Sequence, residues 1–175
     1  NFPTVMFYGA DSIQDLPAAV REKNINRLLL VTDPGLTEIG LAENVLHTFR
    51  DAGLEMEIFD GVHPNPLEED VTLGVKAYQS GDYDGIIALG GGSAMDVAKT
   101  IRFMAVHEPP LSQYDDAVGG DAKIVNSLPP MYAIPTTAGT GSEVGRSSVI
   151  TIKQTGKKTI FFHPELMPDI AVLDP

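Results

Sequence analysis

The 175 residues are enough for one full-sized domain with a buried core, and the 43% hydrophobic and 21% charged residues are typical of globular proteins. The 12 basic and 24 acidic residues give a formal net charge of −12, which argues against a nucleic acid or an anionic membrane as a partner because both require a basic surface. The chain has no cysteine, which excludes disulfides and thiol chemistry, and no apolar run of membrane-spanning length, so we expect a cytoplasmic protein.

Short apolar runs alternate with segments of helical periodicity from residue 4 to residue 101. The apolar runs predict strands at residues 4–8, 28–31, 55–59 and 86–89. Apolar residues at helical spacing predict helices at residues 13–20, 42–49, 71–78 and 94–101. Because the strands are apolar without alternation, we expect a Rossmann-like α/β fold, with a mostly parallel sheet covered by helices on both faces.

The second half of the chain is less regular. Residues 107–130 contain four prolines and are predicted to form a long loop, followed by a strand at 131–134. Two apolar runs, 147–152 and 159–162, flank the polar stretch KQTGKK and predict a β-hairpin, and 170–173 predicts a last strand. No interdomain linker is visible, so residues 1–175 are expected to form one domain.

Three consecutive glycines stand between a predicted strand and a predicted helix in the stretch IIALGGGSAMDVAK. Glycine is costly in backbone entropy, so a run of three indicates that something approaches the backbone too closely for a Cβ. Gly90, Gly91 and Gly92 would let phosphate oxygens reach the amides at the start of the helix. Ser93 and Asp96 match an S-x-x-D capping pattern for that helix. The alternative is a tight turn only, for which one glycine usually suffices.

Two common phosphate motifs do not fit this stretch. A G-x-G-x-x-G fingerprint would need glycine where Ser93 stands, and a P-loop would need glycine in place of Ser93 and Ala98. Lys99 is expected nearly two turns inside the helix, out of reach of a phosphate bound at the helix start. An ATPase is therefore not favoured.

A second polar cluster, PTTAGTGSE, follows the strand predicted at 131–134. Its hydroxyl-bearing members Thr136, Thr137 and Thr140 would lie at the carboxyl edge of the parallel sheet, beside the glycine turn. Two such loops favour a dinucleotide over a single phosphate. The alternative is a Ser/Thr-rich turn that caps the next element.

Few other polar side chains indicate a site. Asp33 closes the second predicted strand and either contacts a ribose diol or caps the helix that begins at Pro34, and both interpretations stay open. Four histidines are scattered along the chain, so no metal site is expected within it: His47, His63, His107 and His163. The acidic run 68–70 is interpreted as the favourable first turn of a helix.

The chain resembles the iron-containing (group III) alcohol dehydrogenase family in four stretches taken together. These are GGGSAMDVAK, PTTAGTGSE, VTD after the second strand and DGVHPNP after the third. The resemblance runs from about Pro3 to Pro175. It implies an N-terminal α/β dinucleotide-binding domain with a β-hairpin. It also implies an all-helical second half with a divalent metal, whose aspartate and histidine ligands would lie beyond residue 175.

The resemblance assigns cofactor contacts to several positions. It implies that 90–93 cradles the NAD pyrophosphate, with Asp96 near the nicotinamide-side ribose. The implied adenine-side contacts are Thr136, Thr137 and Thr140, with Asp33 at the adenosine ribose. Asn65 and Lys158 are implied to lie in the cofactor cleft.

The implied activity is hydride transfer between a small alcohol or aldehyde and NAD, with NADP less favoured and Fe²⁺ or another divalent metal expected only in a longer parent protein. This chain is expected to be the cofactor half of that enzyme and inactive alone, and its catalytic residues are not assigned. A homodimer is left open. The alternatives are a relative of the glycerol dehydrogenases or dehydroquinate synthases, or a nucleotide-binding module without catalysis.

Overall fold

The fold was analysed in a computed structural model, which describes residues 4–175. The strands are β1 (Val5–Tyr8), β2 (Arg27–Val31), β3 (Glu55–Phe59), β4 (Gly85–Gly90), β5 (Met131–Pro135), β6 (Ser147–Thr151), β7 (Lys158–Phe162) and β8 (Ile170–Leu173). The α-helices are α1 (Leu16–Glu22), α2 (Pro34–Glu38), α3 (Leu41–Asp51), α4 (Glu68–Ser80) and α5 (Gly92–Met104). Among the described residues, no helix is both long and apolar enough to span a bilayer.

Six strands form one parallel sheet in the order β1-β8-β5-β4-β2-β3, and β6 and β7 form a separate antiparallel hairpin. The central strand β4 pairs with β2 on one side and with β5 on the other. The chain leaves β2 toward β3 and leaves β4 toward β5, so the connections diverge between β2 and β4. Ligands of open α/β sheets bind outside the carboxyl ends of the strands at such a switch point.

Helices cover both faces of the sheet. Because successive side chains of a strand point to opposite faces, alternate residues of each buried strand belong to different cores. Leu30 and Ile87 pack with Phe49 of α3 in one apolar cluster. Val31 and Ile86 belong to the other cluster, which includes residues of α4 and α5. The predicted Rossmann-like α/β fold with a parallel sheet and a hairpin is therefore confirmed.

The prediction of a long loop at 107–130 is wrong in part. Short 3₁₀ turns occupy 111–114, 116–118 and 120–123, separated by turns such as that at Gly119 with φ 74°. A single 3₁₀ turn is too short to produce a hydrophobic period, so composition alone indicated a loop. The short helix α2 was predicted only as the helix that Asp33 would cap at Pro34, because it is also too short to produce a hydrophobic period.

Helix α5 carries three charged residues at successive i, i+3 positions, Asp96, Lys99 and Arg102. This spacing places them on one helix face, which packs against the less regular second half of the chain. Lys99 and Arg102 are 0% and 5% exposed.

Arg102 connects several loop segments. Its Nε donates to the carbonyl of Pro129, and one terminal nitrogen donates to the carbonyls of Glu165 at 2.7 Å and Met167 at 3.0 Å. The other terminal nitrogen contacts Asp169 Oδ2 at 3.3 Å. Burial lowers the pKa of Arg102, and the nearby Asp169 carboxylate opposes this shift. The guanidinium remains charged at neutral pH.

Replacing Arg102 should therefore destabilise the whole fold. We expect Arg102→Met to lower the free energy of unfolding by about 2–4 kcal/mol, because it leaves buried carbonyls without donors. Urea unfolding followed by circular dichroism measures this change. Arg50→Met, at an exposed position of α3, is the matched control and should leave the midpoint of unfolding unchanged. Equal midpoints for both variants would contradict the role assigned to Arg102.

Candidate functional site

The glycine turn, defined here as residues 90–92, joins β4 to α5 at the carboxyl edge of the sheet. Helix α5 has 13 residues and begins at Gly92, with Gly91 as its N-cap residue and no side chain capping it. The first-turn amides therefore face outward without a side-chain partner, and the helix dipole favours an anion there.

The predicted S-x-x-D capping of α5 is wrong. Ser93 lies within the first turn because the helix begins two residues earlier than that pattern requires. Asp96 instead accepts hydrogen bonds from residues of the second half of the chain. The pattern did not distinguish a cap from a helix interior, because both place Asp three residues after Ser.

The threonine loop, defined as residues 136–141, packs directly against the glycine turn. The amide of Thr136 donates to the carbonyl of Gly90 at 3.0 Å. A Cβ added to Gly91 would lie 3.0 Å from Thr137 Oγ1, and one added to Gly92 would lie 3.2 Å from Thr140 Cγ2. The structure thus brings together the two polar motifs that the sequence analysis paired.

The glycines of the turn are required for different reasons. Gly90 has φ 141°, which side-chain-bearing residues rarely adopt, and a Cβ there would lie 2.8 Å from that of Ala94. Gly91 has an ordinary φ of −83°, so its backbone would accept any residue. What Gly91 provides is close packing with Thr137, because a side chain at this position would force the threonine loop away from the start of α5.

Asp33 lies across the switch point from the glycine turn. Its Oδ1 accepts a hydrogen bond from the amide of Leu36 at 3.2 Å, so the helix-capping interpretation is confirmed. Its Oδ2 lies 3.6 Å from the place where a Cβ of Gly90 would be. The carboxylate therefore both caps α2 and borders the glycine turn, and its predicted ribose contact stays a prediction.

Asp96 anchors the hairpin to α5. Its Oδ1 accepts from Ser142 Oγ at 3.0 Å, and its Oδ2 accepts from the amide of Val149 in β6 at 3.2 Å. Burial raises the pKa of Asp96, while the hydrogen bond from Ser142 and the charge of Lys99 oppose that shift. Both carboxylate oxygens are engaged within the protein.

Asn65 and Lys158, the two predicted cleft residues, contact each other. Lys158 Nζ donates to Asn65 Oδ1 at 2.8 Å. Asn65 has φ 57°, in the left-handed region that asparagine tolerates better than most residues. The amide of Thr151, the residue paired with Lys158 in the hairpin, donates to the carbonyl of Pro66 at 2.9 Å. The hairpin is therefore fixed to the loop before α4.

Lys99 was missed as a site residue. As expected, it does not point to the start of α5, but the three N–H groups of its Nζ are shared among four oxygen atoms in residues 142–147. Burial lowers its pKa to about 8, and the charges of Asp96 and Glu143 oppose this shift. The available signal was a lysine three residues after Asp96 and three before Arg102, in a helix whose remaining residues are mostly apolar or small.

Gly90 of the glycine turn is buried and Gly91 and Gly92 are half-buried, and two large grooves of the molecule lie elsewhere. A groove of about 970 Å³ lies between α4 and residues 104–111, and another of about 780 Å³ lies near Arg102 and Tyr132. Neither is lined by the glycine turn or the threonine loop. The chemistry of the backbone, and not cavity size, marks the site.

The histidines occupy separate places. His63 Nδ1 contacts Asp70 Oδ1 at 2.8 Å, and that carboxylate also accepts from the amide of Leu67 at the start of α4. His107 Nδ1 contacts the carbonyl of Phe103 at 2.7 Å. Within residues 4–175, no group of three or more His, Cys, Asp or Glu side chains is placed to hold a metal ion.

Comparison with known proteins agrees with these motifs. The family model for iron-containing alcohol dehydrogenases matches residues 3–175. The chain belongs to the iron-containing alcohol dehydrogenase family. A choline dehydrogenase from Bacillus subtilis (strain 168) is 38% identical over 175 residues, covering 100% of this chain and 43% of that relative. A 1,3-propanediol dehydrogenase from Klebsiella pneumoniae is 38% identical, covering 99% of this chain and 44% of that relative.

Solved structures of iron-containing alcohol dehydrogenases and their relatives share the fold. A 1,3-propanediol oxidoreductase superimposes with a TM-score of 0.92 at 38% identity, covering 99% of this chain and 44% of that structure. A sulfoacetaldehyde reductase from Bifidobacterium kashiwanohense, solved in complex with NAD⁺, superimposes with a TM-score of 0.88 at 26% identity, covering 100% and 45%. The chain thus spans less than half the length of these relatives.

Proposed function

We propose that residues 1–175 form the dinucleotide-binding domain of a cytoplasmic, NAD-dependent and metal-dependent alcohol dehydrogenase that acts on a small alcohol or aldehyde. The observation that carries this proposal is the glycine turn at the uncapped start of α5, with Thr137 and Thr140 packed against it. Family membership supports the oxidoreductase class, and the NAD⁺ complex of one structural neighbour supports the cofactor.

The residues at the carboxyl edge of the sheet fit NAD. A Cβ on Gly91 would lie 3.0 Å from Thr137 Oγ1 and one on Gly92 3.2 Å from Thr140 Cγ2, so glycine lets the threonine loop pack beside the first amides of α5. In this proposal those amides hold the pyrophosphate, the threonine loop borders it, and Asp33 accepts from the adenosine ribose. When bound, NAD accepts a hydride from the carbinol carbon of the alcohol.

The hairpin side of the site is proposed to orient the other end of the cofactor. Asp96 fixes β6 to α5, and the Lys158–Asn65 hydrogen bond fixes β7 to the loop before α4. Both contacts hold the hairpin beside the start of α5 before any cofactor arrives. The proposed contact of Asp96 with the nicotinamide-side ribose would have to be made alongside its two hydrogen bonds to the protein.

The described residues do not fit a metal ion, since residues 4–175 hold no suitable group of ligands. The residues of this chain therefore supply no metal-dependent step of their own. The proposal assigns metal binding to the intact protein, on the basis of its family alone.

Gly91→Val tests the phosphate site. We expect at least about tenfold weaker NADH binding, because the side chain would push Thr137 and the threonine loop away from the first amides of α5. Because Gly91 has an ordinary φ, the variant should fold, which circular dichroism checks. NADH fluorescence titration gives the dissociation constants, with Gly91→Ala as a graded control of intermediate affinity. Equal affinities for all three proteins would contradict the phosphate assignment.

Asp33→Asn tests the ribose assignment. Two unit charges about 4 Å apart repel by about 4 kcal/mol at an effective dielectric constant of about 20, so Asp33 should disfavour the 2′-phosphate of NADP. We expect the wild type to bind NADH at least about tenfold more tightly than NADPH. Asparagine keeps the α2 cap and removes only the charge, so this variant should narrow the preference, as should Asp33→Gly. A wild type without preference would leave Asp33 as a helix cap only.

Turnover assays test whether catalysis requires more of the protein than these 175 residues. We expect the isolated 175 residues to show no alcohol-dependent reduction of NAD, with or without added iron or zinc. An intact protein of the length of the relatives should show it when loaded with metal. NADH absorbance with a panel of simple alcohols and diols measures both. Turnover by the isolated residues would refute the claim that catalysis requires the rest of the protein. A fully metallated intact protein that is inactive across the panel would count against the dehydrogenase assignment.

A further inference from the structure

Lys99 is a buried cation whose partners all lie in one loop. Its side chain is 0% exposed. Its Nζ donates to the carbonyl of Ser142 at 2.6 Å and to the hydroxyl of Ser142 at 3.1 Å. It also donates to the carbonyls of Gly145 and Ser147, each at 3.0 Å. These oxygens belong to residues 142–147, which lead from the threonine loop into the first residue of β6.

A buried ammonium is costly unless hydrogen bonds replace its hydration. Among its described contacts no carboxylate touches Nζ directly, and Asp96 reaches it only through Ser142 Oγ. The ammonium instead provides donors for carbonyls of a segment that has little regular structure. Its main effect is therefore to fix the path of residues 142–147.

Two anchors hold the threonine loop in place. At its start, the amide of Thr136 bonds to Gly90 in the glycine turn. At its end, Lys99 holds Ser142. Both anchors connect the loop to the β4–α5 unit, so the positions of Thr137 and Thr140 against the glycine turn depend on both.

We propose that Lys99 is a positioning residue of the dinucleotide site, which through residues 142–147 holds the threonine loop against the glycine turn and thereby sets cofactor affinity. This inference rests on the proposed function. Lys99 itself is not expected to touch the cofactor, because its hydrogen-bonding capacity is used within the protein.

The same geometry makes cofactor affinity depend on the protonation of Lys99. A neutral amine has two N–H groups for four acceptors, and its lone pair would face a carbonyl oxygen. The charged groups that act on Lys99 are Asp96 and Arg102 from α5 and Glu143 from the loop. Because burial lowers the pKa of Lys99 to about 8, the amine loses its proton as pH rises through that value and the loop loses part of its anchor.

The test is NADH fluorescence titration of the intact protein, with Lys99→Met compared to the wild type. We expect Lys99→Met to bind NADH about tenfold more weakly at about pH 7. Wild-type affinity should fall about fivefold between about pH 7 and about pH 9, while that of Lys99→Met should not show this fall. Lys76→Met removes the same charge from an exposed position of α4 and should match the wild type at every pH.

A second variant covers the case in which Lys99→Met does not fold, as judged by circular dichroism. Ser142→Ala keeps the lysine and the carbonyls but removes the hydroxyl between Lys99 and Asp96, and it should weaken NADH binding about threefold. If either folded variant has wild-type affinity and the wild-type pH profile, the positioning role is refuted and NAD binding stands. If the wild type does not bind NADH, the proposed function and this inference both fail.

Discussion

The second half of this fold depends on one face of helix α5. Asp96, Lys99 and Arg102 point from that face into residues 129–169, where much of the backbone has no strand or helix to satisfy it. Buried charges are costly alone, but here each is surrounded by hydrogen-bonding partners from the loops. Because α5 begins at the glycine turn, the element that organises the loops also carries the candidate site.

The acidic composition restricts how this site can hold an anion. With a net charge of −12, the overall field of the protein repels phosphate, so the proposed cofactor binding would have to come from short-range donors. Two cations near the site are already committed, since Lys99 is buried in its loop contacts and Lys158 is bonded to Asn65. The uncapped amides at the start of α5 are donors that need no net charge, which explains why glycine, and not lysine, marks the site.

The parts of the fold that could be predicted from sequence are those encoded locally. Unalternated apolar runs such as 86–89 indicated the parallel sheet, and the two glycine- and threonine-rich motifs indicated which strand ends would meet. The capping of α5 by Ser93 was wrong because the same residue pattern also fits a helix interior. The partners of Lys99 lie 43 to 48 residues away in an irregular segment, so no periodicity could reveal them. Whether Asp33 is a cap could be resolved only by the direction of its side chain.

The contacts around the hairpin indicate a site that is organised in advance of its ligand. Val149 of β6 is held by Asp96, and Lys158 of β7 is held by Asn65, so both strands are fixed from different sides. The threonine loop is likewise fixed at Gly90 and at Ser142. A preformed site avoids the entropy cost of ordering loops on binding, so affinity is sensitive to side chains that never touch the ligand. In this chain the face of α5 that carries Asp96 and Lys99 makes two of these four connections, so on the proposed function the hydrogen bonds that stabilise the loops would also set the affinity of the site.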